Sequence, residues 1–157
     1  MKAIETLKKV VELAEKRRDE ALAALTRVQR ELQAAQEQMK QLQSYADEAV
    51  QRWAVRSSVG VDTTLLHHHS AFMQRIEHAM DFQHGVLSNR QGLVERAQQQ
   101  VQAAERDVAG LRKYTERQLQ ALLQLAQRQE QKDSDELALA IHLRQSQLQS
   151  HTKSARP

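Results

Sequence analysis

The sequence predicts an all-α fold, a long two-helix antiparallel coiled coil (a helical hairpin), and three observations carry that prediction. Apolar residues recur at alternating intervals of three and four along two long stretches. One short break near residue 60, where Ser and Gly cluster, separates the two. Gln, Ala, Leu, Glu and Arg dominate, whereas aromatics make up only 3% of the 157 residues and the mean hydropathy is -0.70. Such a composition suits long helices and leaves little with which to fill a wide globular core.

The first stretch runs through Ile4, Leu7, Val11, Ala14, Arg18, Ala21, Leu25, Val28, Leu32, Ala35, Met39, Leu42, Ala46, Ala49 and Trp53. All but Arg18 are apolar. A sustained 3.5-residue repeat keeps one seam facing a partner helix and imposes left-handed supercoiling. The residues between are mostly Glu, Lys, Arg and Gln, good helix formers that stay solvated. No Pro or Gly interrupts the run, so one helix is expected over about residues 3–57. A helix of that length cannot be stable alone.

A loop over 58–62 follows, Ser58-Val59-Gly60-Val61-Asp62. Asp62 is placed to cap a second helix starting at Thr63, with Ser70 as a later alternative start. The second seam reads Met73, Ile76, Met80, Gln83, Leu87, Arg90, Val94, Ala97, Val101, Ala104, Val108, Leu111, Thr115, Gln118, Leu122 and Leu125. Helix 2 is expected to about residue 148. Residues 1–150 then form a single hairpin, with a frayed tail over 151–157.

A short loop between two seams makes the helices antiparallel neighbours. If opposed positions total 122, small residues repeatedly face large ones: Ala49 meets Met73, Ala46 meets Ile76, Leu25 meets Ala97 and Ala14 meets Val108. That alternation fills layers without voids. Arg18 would lie across Ala104 and reach Glu105. A register one heptad away, totalling 129, also fits; it pairs Leu7 with Leu122 and Ile4 with Leu125. In the 122 register Leu122 to Leu143 has no intramolecular partner.

Several function classes are disfavoured. The chain has no cysteine, hence no disulfide and no thiolate metal site. A net charge of +3 is far weaker than that of a dedicated nucleic-acid binder, and no aromatics interleave with the basic residues to stack on bases. His67-His68-His69 point about 100° apart on a helix and cannot converge on one metal, and His78 and His84 fall on different faces. Carboxylates such as Glu12, Glu15, Asp19 and Glu20 alternate with cations at helical spacing, as on a solvated face. No catalytic constellation, phosphate-binding glycine loop or dinucleotide fingerprint is present, so neither an enzyme nor a cofactor is expected. No apolar run reaches membrane-spanning length, and the amino terminus lacks the apolar core of a secretion signal, which predicts a cytoplasmic protein.

Two features carry functional signal. Lys8-Lys9, Lys16-Arg17-Arg18 and Arg112-Lys113 gather toward one end of the hairpin, because residue 9 opposes residue 113. A solvated face and a docking point for an acidic protein both suit them. The second feature is Phe72-Met73-Gln74-Arg75-Ile76-Glu77-His78-Ala79-Met80-Asp81-Phe82-Gln83. Phe72 and Ala79 lie beside the seam and broaden the apolar face beyond what one partner helix covers, which marks either an interaction site or a cap on the hairpin's loop end.

With a heptad helix before it, a Ser/Gly break near residue 60, and a long polar helix after, the stretch His69 to Met80 resembles FliJ, the small coiled-coil protein of bacterial flagellar type III export. The Phe-x3-Ile-x2-Ala spacing at Phe72, Ile76 and Ala79 is its most specific part. The resemblance implies a non-catalytic stalk similar to that of rotary ATPases. It implies that the end carrying both termini enters the pore of the hexameric export ATPase, FliI. Carried onto this chain, that end offers Lys8, Lys9, Lys16, Arg17, Arg112, Lys113, Leu122 and Leu125. It further implies that Phe72, Ile76, Ala79 and Gln83 meet the export-gate membrane protein FlhA, with Gln83 standing where relatives carry His. A link to export chaperones is also implied, as is attachment to the membrane through partners alone. The equivalent stalk of a virulence secretion system, and a general coiled-coil chaperone or scaffold binding through Leu122 to Leu143, are the alternatives.

Overall fold

A computed structural model describes residues Lys2–Ala155. It contains two helices, α1 (Lys2–Ser57) and α2 (Thr63–Ser154), and no strand among the described residues. The first helix ends where Val59 N–H bonds the Arg56 carbonyl and Gly60 N–H bonds that of Ser57. Gly60 then takes φ 98°, a left-handed conformation that a Cβ resists, and so reverses the chain. The Asp62 carbonyl accepts Leu66 N–H as α2 begins. α2 extends past 148 to Ser154, and Arg156 and Pro157 of the expected tail lie outside the described residues.

The chain divides into two compact units, Glu12–Val108 and Met1–Val11 with Ala109–Pro157. The first of these is a helical hairpin. Its core is Ala14, Ala35, Met39, Ile76, Val94, Ala97, Val101 and Val108, all on the seams and none more than 9% exposed. Four contacts across it fix the pairing. Gln83 bonds the Ala35 carbonyl and Gln38, Arg90 bonds Glu31, and Trp53 stacks on His69. The paired numbers total between 118 and 122, and none approaches 129. Small residues sit in the core because two helices alone enclose little volume; the seam closes by bringing the backbones together over Ala14, Ala35 and Ala97.

Arg18 does not reach across to Glu105. Its guanidinium bonds the adjacent Asp19, with Nε and Nη2 at 3.2 and 3.1 Å from Oδ1. A neighbouring carboxylate on the solvent side meets the charge without drawing it over the seam, which avoids the desolvation that a cross-seam pair would cost.

In the other unit Ile4, Leu7 and Val11 are half-buried, as are Leu111, Thr115 and Leu119. Gln118, expected in the seam, is exposed, and Leu119 takes its place. The step from Thr115 to Leu119 is four residues after another step of four, so the heptad breaks there in favour of the apolar side chain. From Ala121 to Ala155 every residue is exposed.

Candidate interaction surfaces

On α2 the stripe Phe72, Ile76, Ala79 and Gln83 separates into two kinds of residue. Ile76 is 7% exposed and belongs to the hairpin core. Gln83 is equally buried; its Nε2 donates to the Ala35 carbonyl at 2.8 Å and to Gln38 Oε1 at 3.3 Å. A buried amide left without partners would cost about 1–3 kcal/mol, so α1 already occupies this side chain. Phe72 keeps 47% of its surface in water and Ala79 is half-buried. The spacing i, i+4, i+7, i+11 does align the four residues on one stripe. That stripe straddles the edge of the seam, and only its Phe72 and Ala79 side is open to a partner.

Phe82 is the residue that sequence reasoning passed over. It is 75% exposed, and a shallow groove runs past it along Gly85, Val86 and Asn89. The protein has two phenylalanines, and both lie on the surface of α2 between residues 72 and 82. The available signal was that Phe82 adjoins the seam position Gln83 without occupying one itself.

In the unit formed by Met1–Val11 and Ala109–Pro157, Lys8, Lys9, Arg112 and Lys113 are exposed. Leu122 and Leu125 are exposed at 42% and 59%, and farther along α2 Leu137, Leu139, Ile141, Leu143 and Leu148 are at least half exposed. On a straight helix Leu119, Leu122, Leu123 and Ala126 share a face with Leu137, Ile141 and Leu148. Between them that face carries Glu130 and Asp133, so two apolar patches are divided by a charged one. Lys16 and Arg17 are exposed too, but they belong to Glu12–Val108.

The histidines of 67–69 have a structural role at one position: the His69 ring lies on Trp53 with centroids 4.2 Å apart and planes 7° from parallel. Among the described residues no group of three His, Cys, Asp or Glu side chains is placed to hold a metal ion. No helix among them is long and apolar enough to cross a membrane.

Two long helices, a hairpin core made of seam residues and a second helix with an uncovered apolar face define a coiled-coil stalk, with its chemistry confined to surfaces. The family model described as "Flagellar FliJ protein" matches residues 2–147. The chain therefore belongs to the FliJ family, the non-catalytic stalk proteins of type III export. Among solved structures it is similar to a chain described as a YscO homologue from Chlamydia trachomatis, with a TM-score of 0.67 and 18% identity over 94% of this chain and 95% of that one. At that identity the likeness is one of fold. No curated protein matches the chain.

Proposed function

We propose that this protein is the stalk and coupling factor of a flagellar type III export apparatus. It binds the hexameric export ATPase, FliI, through the unit holding both termini and meets the export gate, FlhA, through the Phe72 face of α2. The observation that carries the reading is the uncovered apolar face of α2 beyond Leu119, within a chain matched almost end to end by the flagellar family. Exposed leucines in two patches along 30 residues of helix serve no folding purpose where they stand, and apolar patches of that kind suit a protein partner. Lys8, Lys9, Arg112 and Lys113 steer that unit toward an acidic rim, and the leucines supply short-range contact once it arrives. Lys16 and Arg17 add to the positive field of the other unit.

The mechanism is mechanical and allosteric. A stalk that binds one conformation of a ring better than another shifts the ring toward it by the difference in affinity. At the gate, Phe72 and the exposed part of Ala79 make the contact, while Ile76 and Gln83 hold the helix that presents them. The decisive experiment measures ATP hydrolysis by the purified export ATPase with and without the full chain. Stimulation that saturates with the protein supports the reading, and an unchanged rate at saturating concentration refutes it. A stalk from a flagellar system should also complement loss of motility, whereas one from a virulence system should restore secretion and leave motility absent.

A further inference from the structure

Two of the contacts across Glu12–Val108 join equivalent positions one heptad apart. Gln83 bonds Gln38 and Arg90 bonds Glu31, at 3.3 Å in both cases. Gln83 and Arg90 are seven residues apart, and so are Glu31 and Gln38. Each pair therefore sits at the same place in its heptad, one heptad along. Elsewhere the α2 seam is apolar from Met73 to Leu111, so these are its two polar positions, and both are spent on the facing helix. Gln83 also bonds the Ala35 backbone from a buried position, whereas the ion pair is about two-fifths exposed.

Apolar seams distinguish poorly between registers, because Leu, Val and Ala pack against one another at every heptad. Slide α1 by seven residues, to the register totalling 129, and Leu122 and Leu125 gain Leu7 and Ile4 as partners. Those two leucines are 42% and 59% exposed as the chain stands, so the slide would cover apolar surface. Ser70 offers the later helix start that a displaced loop would need. Besides the Trp53–His69 stack, what the slide forfeits is polar. Tyr45 replaces Gln38 beside Gln83, Arg90 faces Gln38 in place of its carboxylate, and Glu31 faces Ala97. Directional side-chain contacts are what fixes register in other coiled coils.

We propose that Gln38–Gln83 and Glu31–Arg90 form a register lock, which holds the hairpin one heptad away from an alternative packing that would bury the Leu122 and Leu125 face. The lock and the uncovered face are one choice: satisfying the polar pairs leaves the leucines free. The lock holds whether or not those leucines engage an ATPase, so its test needs no partner.

The chain has no cysteine of its own, which permits a competition within one molecule. Ala21→Cys, Val101→Cys and Val108→Cys are combined in the full chain, equilibrated in a glutathione redox buffer and mapped by mass spectrometry. Bonds from 21 to 101 report the locked register and bonds from 21 to 108 the slipped one. The two targets lie about 10 Å apart along the helix, so one register cannot serve both. In the otherwise native chain the 21–101 bond predominates. Adding Gln83→Leu and Arg90→Glu, which removes the Gln83 bonds and sets two carboxylates face to face in the locked register alone, lowers the 21–101 to 21–108 ratio about tenfold or more. Arg90→Glu alone lowers it less, and Glu31→Arg added to Arg90→Glu restores it. A ratio within twofold of native in the Gln83→Leu/Arg90→Glu chain, at matched helicity, overturns the lock. So does a charge exchange that fails to recover what Arg90→Glu lost, which decides the matter even if the first variant folds poorly.

Discussion

Phe72→Ala separates folding from binding on α2, and its cost can be worked from exposure. Full burial of a Phe side chain stabilises by about 1.5–3 kcal/mol. Phe72 keeps 47% of its surface in water, so roughly half of that, about 0.8–1.5 kcal/mol, is lost on truncation. For a chain of this length 1 kcal/mol corresponds to about 2–4 °C, and Tm should fall by no more than about 6 °C. Ile76→Ala is the contrast. With Ile76 only 7% exposed, its truncation removes packing and leaves a cavity, at a cost of about 2–5 kcal/mol. Thermal melts by circular dichroism, ATPase stimulation and binding to the gate's cytoplasmic domain should be measured on both variants. Phe72→Ala should weaken gate binding about tenfold or more, as aromatic anchors tend to dominate interfaces, and should leave ATPase stimulation intact. A Phe72→Ala protein that melts as early as Ile76→Ala yet binds the gate with native affinity would show the ring to be structural, and the stripe reading would fail.

Deleting Leu122 to Pro157 removes a segment whose described residues are all helical or turn and exposed, so helicity per residue should hardly change while ATPase stimulation is abolished; undiminished stimulation would sink the assignment of this surface. Arg18→Leu should be neutral or stabilising in urea melts, since the side chain pairs only with exposed Asp19 and such pairs are worth about 0–1 kcal/mol. A loss above about 1.5 kcal/mol would reveal a stronger bond at Arg18 than that pair. Gly60→Ala should destabilise by about 1–2 kcal/mol through the backbone alone, because φ is 98° and nothing lies within 4 Å of the added methyl. Gly110→Ala, helical and equally open, should do the reverse and stabilise by about 1 kcal/mol; equal signs for the two glycine variants would contradict this backbone argument.

Periodicity reveals whatever repeats, and in α1 it revealed all three fully buried residues, Ala14, Ala35 and Met39. Every seam position from Ile4 to Trp53 is buried or half-buried, Arg18 among them. It failed where two residues compete for one turn. Gln118 and Leu119 are both within reach of the seam after Thr115, and the heptad selects the first while burial selects the second. Partners of polar side chains were less legible still. Glu105 and Asp19 are both plausible anions for Arg18, and only the conformation of the side chain decides between them. Gln83 reads as a weak seam position or as part of a binding stripe. Its bond to the Ala35 carbonyl depends on how closely two backbones approach, which is set by the alanines of both helices and by no local pattern.

The division of labour along α2 follows from its being one face of a two-helix structure. A hairpin with a single partner can bury only one narrow stripe of each helix, so every apolar residue outside that stripe stays in water for want of a third element. Leu119 is the last half-buried residue in the described part of α2, and every described leucine beyond it is exposed. Phe72 and Phe82 are exposed for the same geometric reason within the hairpin, being displaced around the helix from Met73, Ile76 and Met80. A larger core could have absorbed both rings. With two helices, the sequence must either replace such residues by polar ones, as it does along most of α1, or keep them for contact with another protein. Retaining both phenylalanines on one side of α2 while spending Gln83 on α1 is intelligible if that helix must be held in a fixed register for its surface to be read. The lock and the exposed rings would then serve the same end, the one by fixing where α2 stands and the others by what it presents.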